Sequence, residues 1–183
     1  MSNRPEIVDS GLLYGNKYPA DWAIHAYYSR IVEIRPGELL CVYRRAQALY
    51  GDDGRTWVLR STDGGKTWQD EGCLWDGKQD AMPYSYSATH LTRTSTGEVL
   101  VMGHRFTRPT PDTPMYDAES GAHLPTETVL FRSNDDGHTW LPPEIVHEPD
   151  PHYLLYDSIT ELDNGRYFVT SDWDRLPNDT DHV

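Results

Sequence analysis

The sequence predicts an all-β protein assembled from repeated four-stranded antiparallel units, and three observations carry that reading. Short runs with apolar alternation recur along the chain between turn-forming residues, and no long amphipathic helical stretch interrupts them. One eight-residue string is written twice, STDGGKTW at 61–68 and SNDDGHTW at 133–140, 72 residues apart. Glycines between paired strand-like runs return at Gly37, Gly97 and Gly165, at spacings of 60 and 68 residues. A four-stranded antiparallel unit repeating at this period is expected to be the blade of a β-propeller.

The 183 residues fit one ordinary domain or a piece of a larger one. With 37% hydrophobic and 11% aromatic residues the chain has material for a core, and its Tyr, Trp, Gly and Pro content suits short strands and turns. A formal charge of −13 argues against nucleic acid and anionic membrane surfaces as partners. The opening MSNRPEIVDSGLLYG has no apolar signal core, and no stretch is long enough to span a bilayer, so the expected location is the cytoplasm. Cys41 and Cys73 are expected on strands separated by a third, as unpaired thiols.

Taken in order, the first unit (about 27–77) reads SRIVEIRPGELLCVYRR, a loop, GRTWVLR, the repeated turn and QDEGCLW. The second (about 84–148) reads SATHLTRTSTGEVLVMGHRF, a longer loop, TETVLFR, the turn and LPPEIVHE. A third (about 154–183) opens as DSITELDNGRYFVTSDWD, and the whole of 1–183 is read as one partial propeller domain. Each unit opens with two strands joined at its glycine. In the repeated turn a short polar side chain accepts hydrogen bonds from the turn's own amides, glycine takes positive φ, and a Trp packs back on the sheet.

The motif Ser-x-Asp-x-Gly-x-Thr-Trp, placed between third and fourth strands, resembles the Asp-box (BNR repeat) of the sialidase superfamily. The opening HAYYSRIVEIRPGELLCVYRR is also similar to the first blade of bacterial sialidase-like, neuraminidase-like proteins. The resemblance covers nearly the whole chain and implies two full blades and the first strands of a third in a six-bladed ring. EIVDSGLLYG would then supply the outer strand of the last blade, and open edges would permit self-association. It also implies that Ser61, Asp63, Gly65, Thr67 and Trp68, with Ser133, Asp135, Gly137, Thr139 and Trp140, are peripheral and structural.

In such a unit the first strand starts and the second ends on one face, a mouth shared with the loops AQALYGDDGR and FTRPTPDTPMYDAESGAHLP. Arg45, His104, Arg105 and Tyr86 are expected there as contacts for a carbohydrate. The resemblance implies an acid aspartate after the second strand of the first blade, which falls on Asp52. Asp157 and Asp172 are expected on adjacent strands, close enough for like-charge coupling, and these six charged groups are expected to face a common central cavity. The family's Tyr-Arg-Ile-Pro pattern is not kept: its positions fall near Tyr27, with Ser29 where proline stands, and Arg30 aligns only with a gap.

The leading expectation is therefore a sialidase-like glycoside hydrolase acting on a terminal sugar and incomplete in this chain, and the alternative is a propeller without catalysis that binds glycans or proteins. No cofactor and no metal are expected. HEPDPH, with His147, Glu148, Asp150 and His152, reads as a proline-broken solvated loop, and His25 and His90 as packed histidines.

Overall fold

The computed structural model describes residues 6–7, 9–16, 23–110, 112–116, 118–119, 126–147, 153–155 and 158–173. Among them there is no helix, so none is long and apolar enough to cross a membrane. Two four-stranded antiparallel meanders follow one another. The first is β1 (His25–Arg35), β2 (Glu38–Ala46), β3 (Arg55–Ser61) and β4 (Gln69–Cys73); the second is β5 (Tyr84–Arg93), β6 (Val99–Thr107), β7 (Thr126–Ser133) and β8 (Glu144–His147).

A third hairpin appears in two pieces. β9 (Tyr153–Leu155) pairs with β12 (Ser171–Trp173), and β10 (Thr160–Glu161) pairs with β11 (Tyr167–Phe168). The three opening hairpins turn at the expected glycines, with φ of 82°, 90° and 75° at Gly37, Gly97 and Gly165.

Strands β2 and β6 read as nearly continuous apolar runs because both of their faces are covered. Leu40, Val42 and Val58 of the first sheet meet Tyr86, Val99, Val101 and Phe131 of the second in the main core. On the far face of the first sheet, Cys41, Tyr43 and Leu59 are covered by Leu13 and Tyr14 of the N-terminal segment. On the far face of the second, Leu100, Met102 and Leu130 receive Ile159 of the third hairpin. The sheets thus stack face to face, with alternating side chains filling the spaces between them.

The innermost strands are bulged. The register shifts between Tyr27 and Arg30 on β1 and between Ala88 and His90 on β5. The second bulge explains Gly103: a Cβ there would stand 2.4 Å from the backbone of Ala88. The cysteines are free, on β2 and β4 with β3 between them, as expected.

Candidate functional site: a cleft between the two sheets

Each of the two repeated turns is closed by its own side chains. Ser61 Oγ donates to Asp63 Oδ1 (2.8 Å) and accepts from the Gly65 amide (2.8 Å); Asp63 accepts from the amide (2.9 Å) and hydroxyl (2.7 Å) of Thr67. Ser133, Asp135, Gly137 and Thr139 repeat these bonds at 2.7, 2.8, 2.8 and 2.6 Å. With acceptors so occupied, the carboxyls are held at about 2. The Thr67 hydroxyl is the main cause at Asp63; at Asp135 burial pushes the other way and the Thr139 bonds outweigh it. Trp68 Nε1 donates to Gly65 O, and both Trp rings pack on core residues. These groups are committed to the turns.

Of the residues expected to meet in one central cavity, Arg45, His104 and Arg105 face three different spaces. Arg45 lies on the far face of the first sheet, its guanidinium 4.2 Å from the Trp57 ring centre and 3.9 Å from Asp70 Oδ2. His104 is buried on the far face of the second sheet, beside Phe106 and in register with Ser87. Arg105 and Tyr86 face the junction between the sheets. Asp172 lies on β12 opposite Leu154, and Asp157 lies outside the described residues. The expectation of convergence is corrected for a geometric reason. Side chains on a second strand stand perpendicular to their sheet, so they enter the spaces between sheets rather than pointing along the strand toward a shared mouth.

Alternation also decides between neighbouring arginines. Arg44, not Arg45, turns toward the second sheet, and at 2% exposure it donates Nε to Tyr86 O (3.2 Å), Nη1 to Ala48 O (3.3 Å) and Nη2 to Gly51 O (3.0 Å). Arg108, buried nearby, donates to Ser85 Oγ (2.9 Å), Tyr50 O (3.1 Å) and Thr113 O. Burial holds both guanidiniums below their ordinary value; Asp53 counters this at Arg44 and Asp52 at Arg108. Asp53 itself accepts from the Gln47 amide (2.9 Å). The two arginines bind the 46–54 loop to the second sheet and to the start of the long loop, and Asp52 sits at that knot.

Arg105 and Tyr86 do come together, in company that the sequence reading missed. The connection 74–83 brings Trp75, Gln79 and Asp80 to the mouth side, where they line a cleft of about 250 Å3 with Tyr84, Arg105 and the flanking Pro142 and Pro143. Asp80 is the centre of this arrangement: Trp75 Nε1 donates to Oδ1 (3.0 Å) and Tyr86 Oη to Oδ2 (2.6 Å). Arg105 stacks over Tyr84 at 4.0 Å from the ring centre and donates Nε to Glu127. Burial opposes its charge, but Glu127 and the Tyr86 hydroxyl outweigh that and hold it above its ordinary value. Burial pushes the Tyr86 phenol up, and Asp80 pushes it further, so it remains a donor. The signal available for this cleft was the position of 74–83: a connection from an outer strand to the next inner strand ends on the same face as the loops after second strands.

Among the described residues no group of three or more His, Cys, Asp or Glu is placed to hold a metal. No family model matches the chain, and no curated protein matches it. Among solved structures it is similar to a protein of unknown function from Dyadobacter fermentans, with a TM-score of 0.60 and 18% identity over 80% of this chain and 46% of that one. The chain therefore spans just under half the length of that structure, and the likeness is one of fold alone.

Proposed function

We propose that the chain is part of an Asp-box β-propeller of the sialidase-like superfamily, and that it binds carbohydrate in the Trp75–Arg105 cleft without hydrolysing it. The propeller reading is supported by consecutive four-stranded meanders stacked face to face, with matching turns and hairpins. The binding reading rests on one observation: the rings of Trp75 and Tyr84 stand beside the carboxylate of Asp80 and the guanidinium of Arg105 in one small cleft. Aromatic faces stack on the C–H faces of a sugar, while an acid and a guanidinium share its hydroxyls. That Arg105 and Tyr86 are already held by Glu127 and Asp80 suits a preorganised binding surface better than a proton-transfer site.

A second reading, glycoside hydrolysis, is favoured by Asp52 and Asp53 on the loop beside two buried arginines. In that reading Asp52 protonates the leaving oxygen, and Asp157 or Asp172 supplies the second carboxylate. A panel of aryl glycosides, the sialoside included, separates the two. The binding reading expects ligand-detected NMR contacts and no release of the phenol. Turnover that is lost in Asp52→Asn would replace it with the hydrolytic reading.

A further inference from the structure

The charges at the Trp75–Arg105 cleft are unevenly matched. Among the described residues that line it, Arg105 is the one cation, and its charge is already answered. Its Nε donates to Glu127 Oε2 at 2.5 Å, and its face lies on the Tyr84 ring. Asp80, the one lining carboxylate, receives only neutral donors, Trp75 Nε1 on Oδ1 and the Tyr86 hydroxyl on Oδ2. Arg55 approaches the Tyr86 ring from the first sheet, at 5.8 Å from its centre. It does not line the cleft, and its Nη1 donates to Asp52 O (3.3 Å) and Gly54 O (2.8 Å).

Both carboxylates are felt at the lining ring of Tyr84. Burial raises its phenol, Arg105 opposes, and Glu127 and Asp80 raise it further. A ligand in the cleft therefore meets a guanidinium that has its counter-charge and a carboxylate that has none.

Building on the carbohydrate reading above, we propose that the cleft takes uncharged sugars and rejects those bearing a carboxylate, with Asp80 as the specificity-determining residue. A neutral sugar brings hydroxyl donors, which Asp80 accepts without needing a further cation. A sugar acid brings a second carboxylate into a cleft of about 250 Å3, too small to hold it far from Asp80. Like charges at that range, at the effective dielectric of a protein surface, cost about a factor of ten in affinity. The discrimination comes from this repulsion, since the aromatic faces of Trp75 and Tyr84 serve both kinds of sugar alike.

Three probes on one ring test the assignment: a methyl hexoside that binds, the matching methyl uronide with a carboxylate at C6, and the methyl ester of that uronide. In NMR titrations the wild-type protein is expected to bind the hexoside about tenfold more tightly than the uronide. The ester, which removes the charge, should bind several-fold more tightly than the acid. Asp80→Asn keeps the side-chain shape, and the Tyr86 hydroxyl can turn to accept from the new amide. That variant should bring the two affinities to within about threefold of each other, a ratio that does not depend on how much of it folds. A uronide bound by the wild type as tightly as its hexoside would overturn the proposal and leave the carbohydrate reading standing. So would an unchanged ratio in Asp80→Asn, or an ester bound no better than the acid. Absence of binding by methyl glucoside, galactoside and mannoside alike would overturn the carbohydrate reading, and this proposal with it.

Discussion

The two repeated turns, 61–68 and 133–140, share their internal hydrogen bonds to within 0.1 Å, yet they sit in different neighbourhoods. The first, 61–68, is tied back to its own sheet, where the Gly64 amide donates to Gly37 O at 2.9 Å. The second, 133–140, reaches across to the neighbouring sheet. Asp136 O accepts from Arg60 Nη2 (3.0 Å), its carboxylate pairs with Arg35, and Gly137 lies over Leu40. The residues before the turns carry the same relation. Arg60 pairs with Glu38 and Glu71, as Arg132 does with Glu98 and Glu144, but Arg60 is 6% exposed and Arg132 25%. The eight residues encode the turn; what packs against it decides how much the fold depends on it.

The largest expected contrast is at the glycines. Gly65 and Gly137 hold φ of 90° and 86°, so alanine is strained at both. At 137 the added Cβ would also stand 2.6 Å from Leu40 Cδ2, against 3.3 Å from Leu39 Cδ1 at 65. Gly137→Ala should therefore cost about 2–5 kcal/mol and Gly65→Ala about 1–2 kcal/mol in urea denaturation. Equal costs would show that the neighbouring sheet adds nothing. Next come the arginines. Arg60→Met leaves two glutamates and a carbonyl without their cation and should cost about 2–3 kcal/mol, whereas Arg132→Met should cost about 1 kcal/mol. A reversed order would break the link between docking and stability.

The smallest contrast is expected in acid, because it depends on the shared interior of the turns. Asp63 and Asp135 are depressed to about 2, below the unfolded value of about 3.9. Their contribution is complete above the unfolded value and is lost as pH falls from about 4 toward 2. Asp63→Asn and Asp135→Asn should flatten that acid limb to a similar degree, as read from melting midpoints against pH. A limb left unchanged by both would place the acid sensitivity elsewhere.

The turns and the all-β order were legible in the sequence because their chemistry is local: Ser, Asp, Gly and Thr close a turn with their own atoms, and Gly37, Gly97 and Gly165 mark the hairpins by φ alone. The site was legible only in part. Arg105 lines the cleft and Tyr86 reaches it only through Asp80, but Arg44 and Arg45 are adjacent, and which one enters the junction depends on strand phase and on what each face packs against. Asp80 carries no motif. Its importance comes from Trp75 and Tyr86 arriving at its two oxygens from different elements, which no window of sequence contains.

The most direct test of the proposed function is a titration of methyl glycosides, the sialoside among them, into wild-type protein and into Trp75→Ala and Trp57→Ala. Trp57 serves as the control because it lies on the far face of the first sheet, under Arg45. The account predicts that at least one glycoside binds, that Trp75→Ala weakens it about tenfold through the lost stacking, and that Trp57→Ala leaves it unchanged. Absence of binding across the panel, or binding indifferent to Trp75, would contradict it.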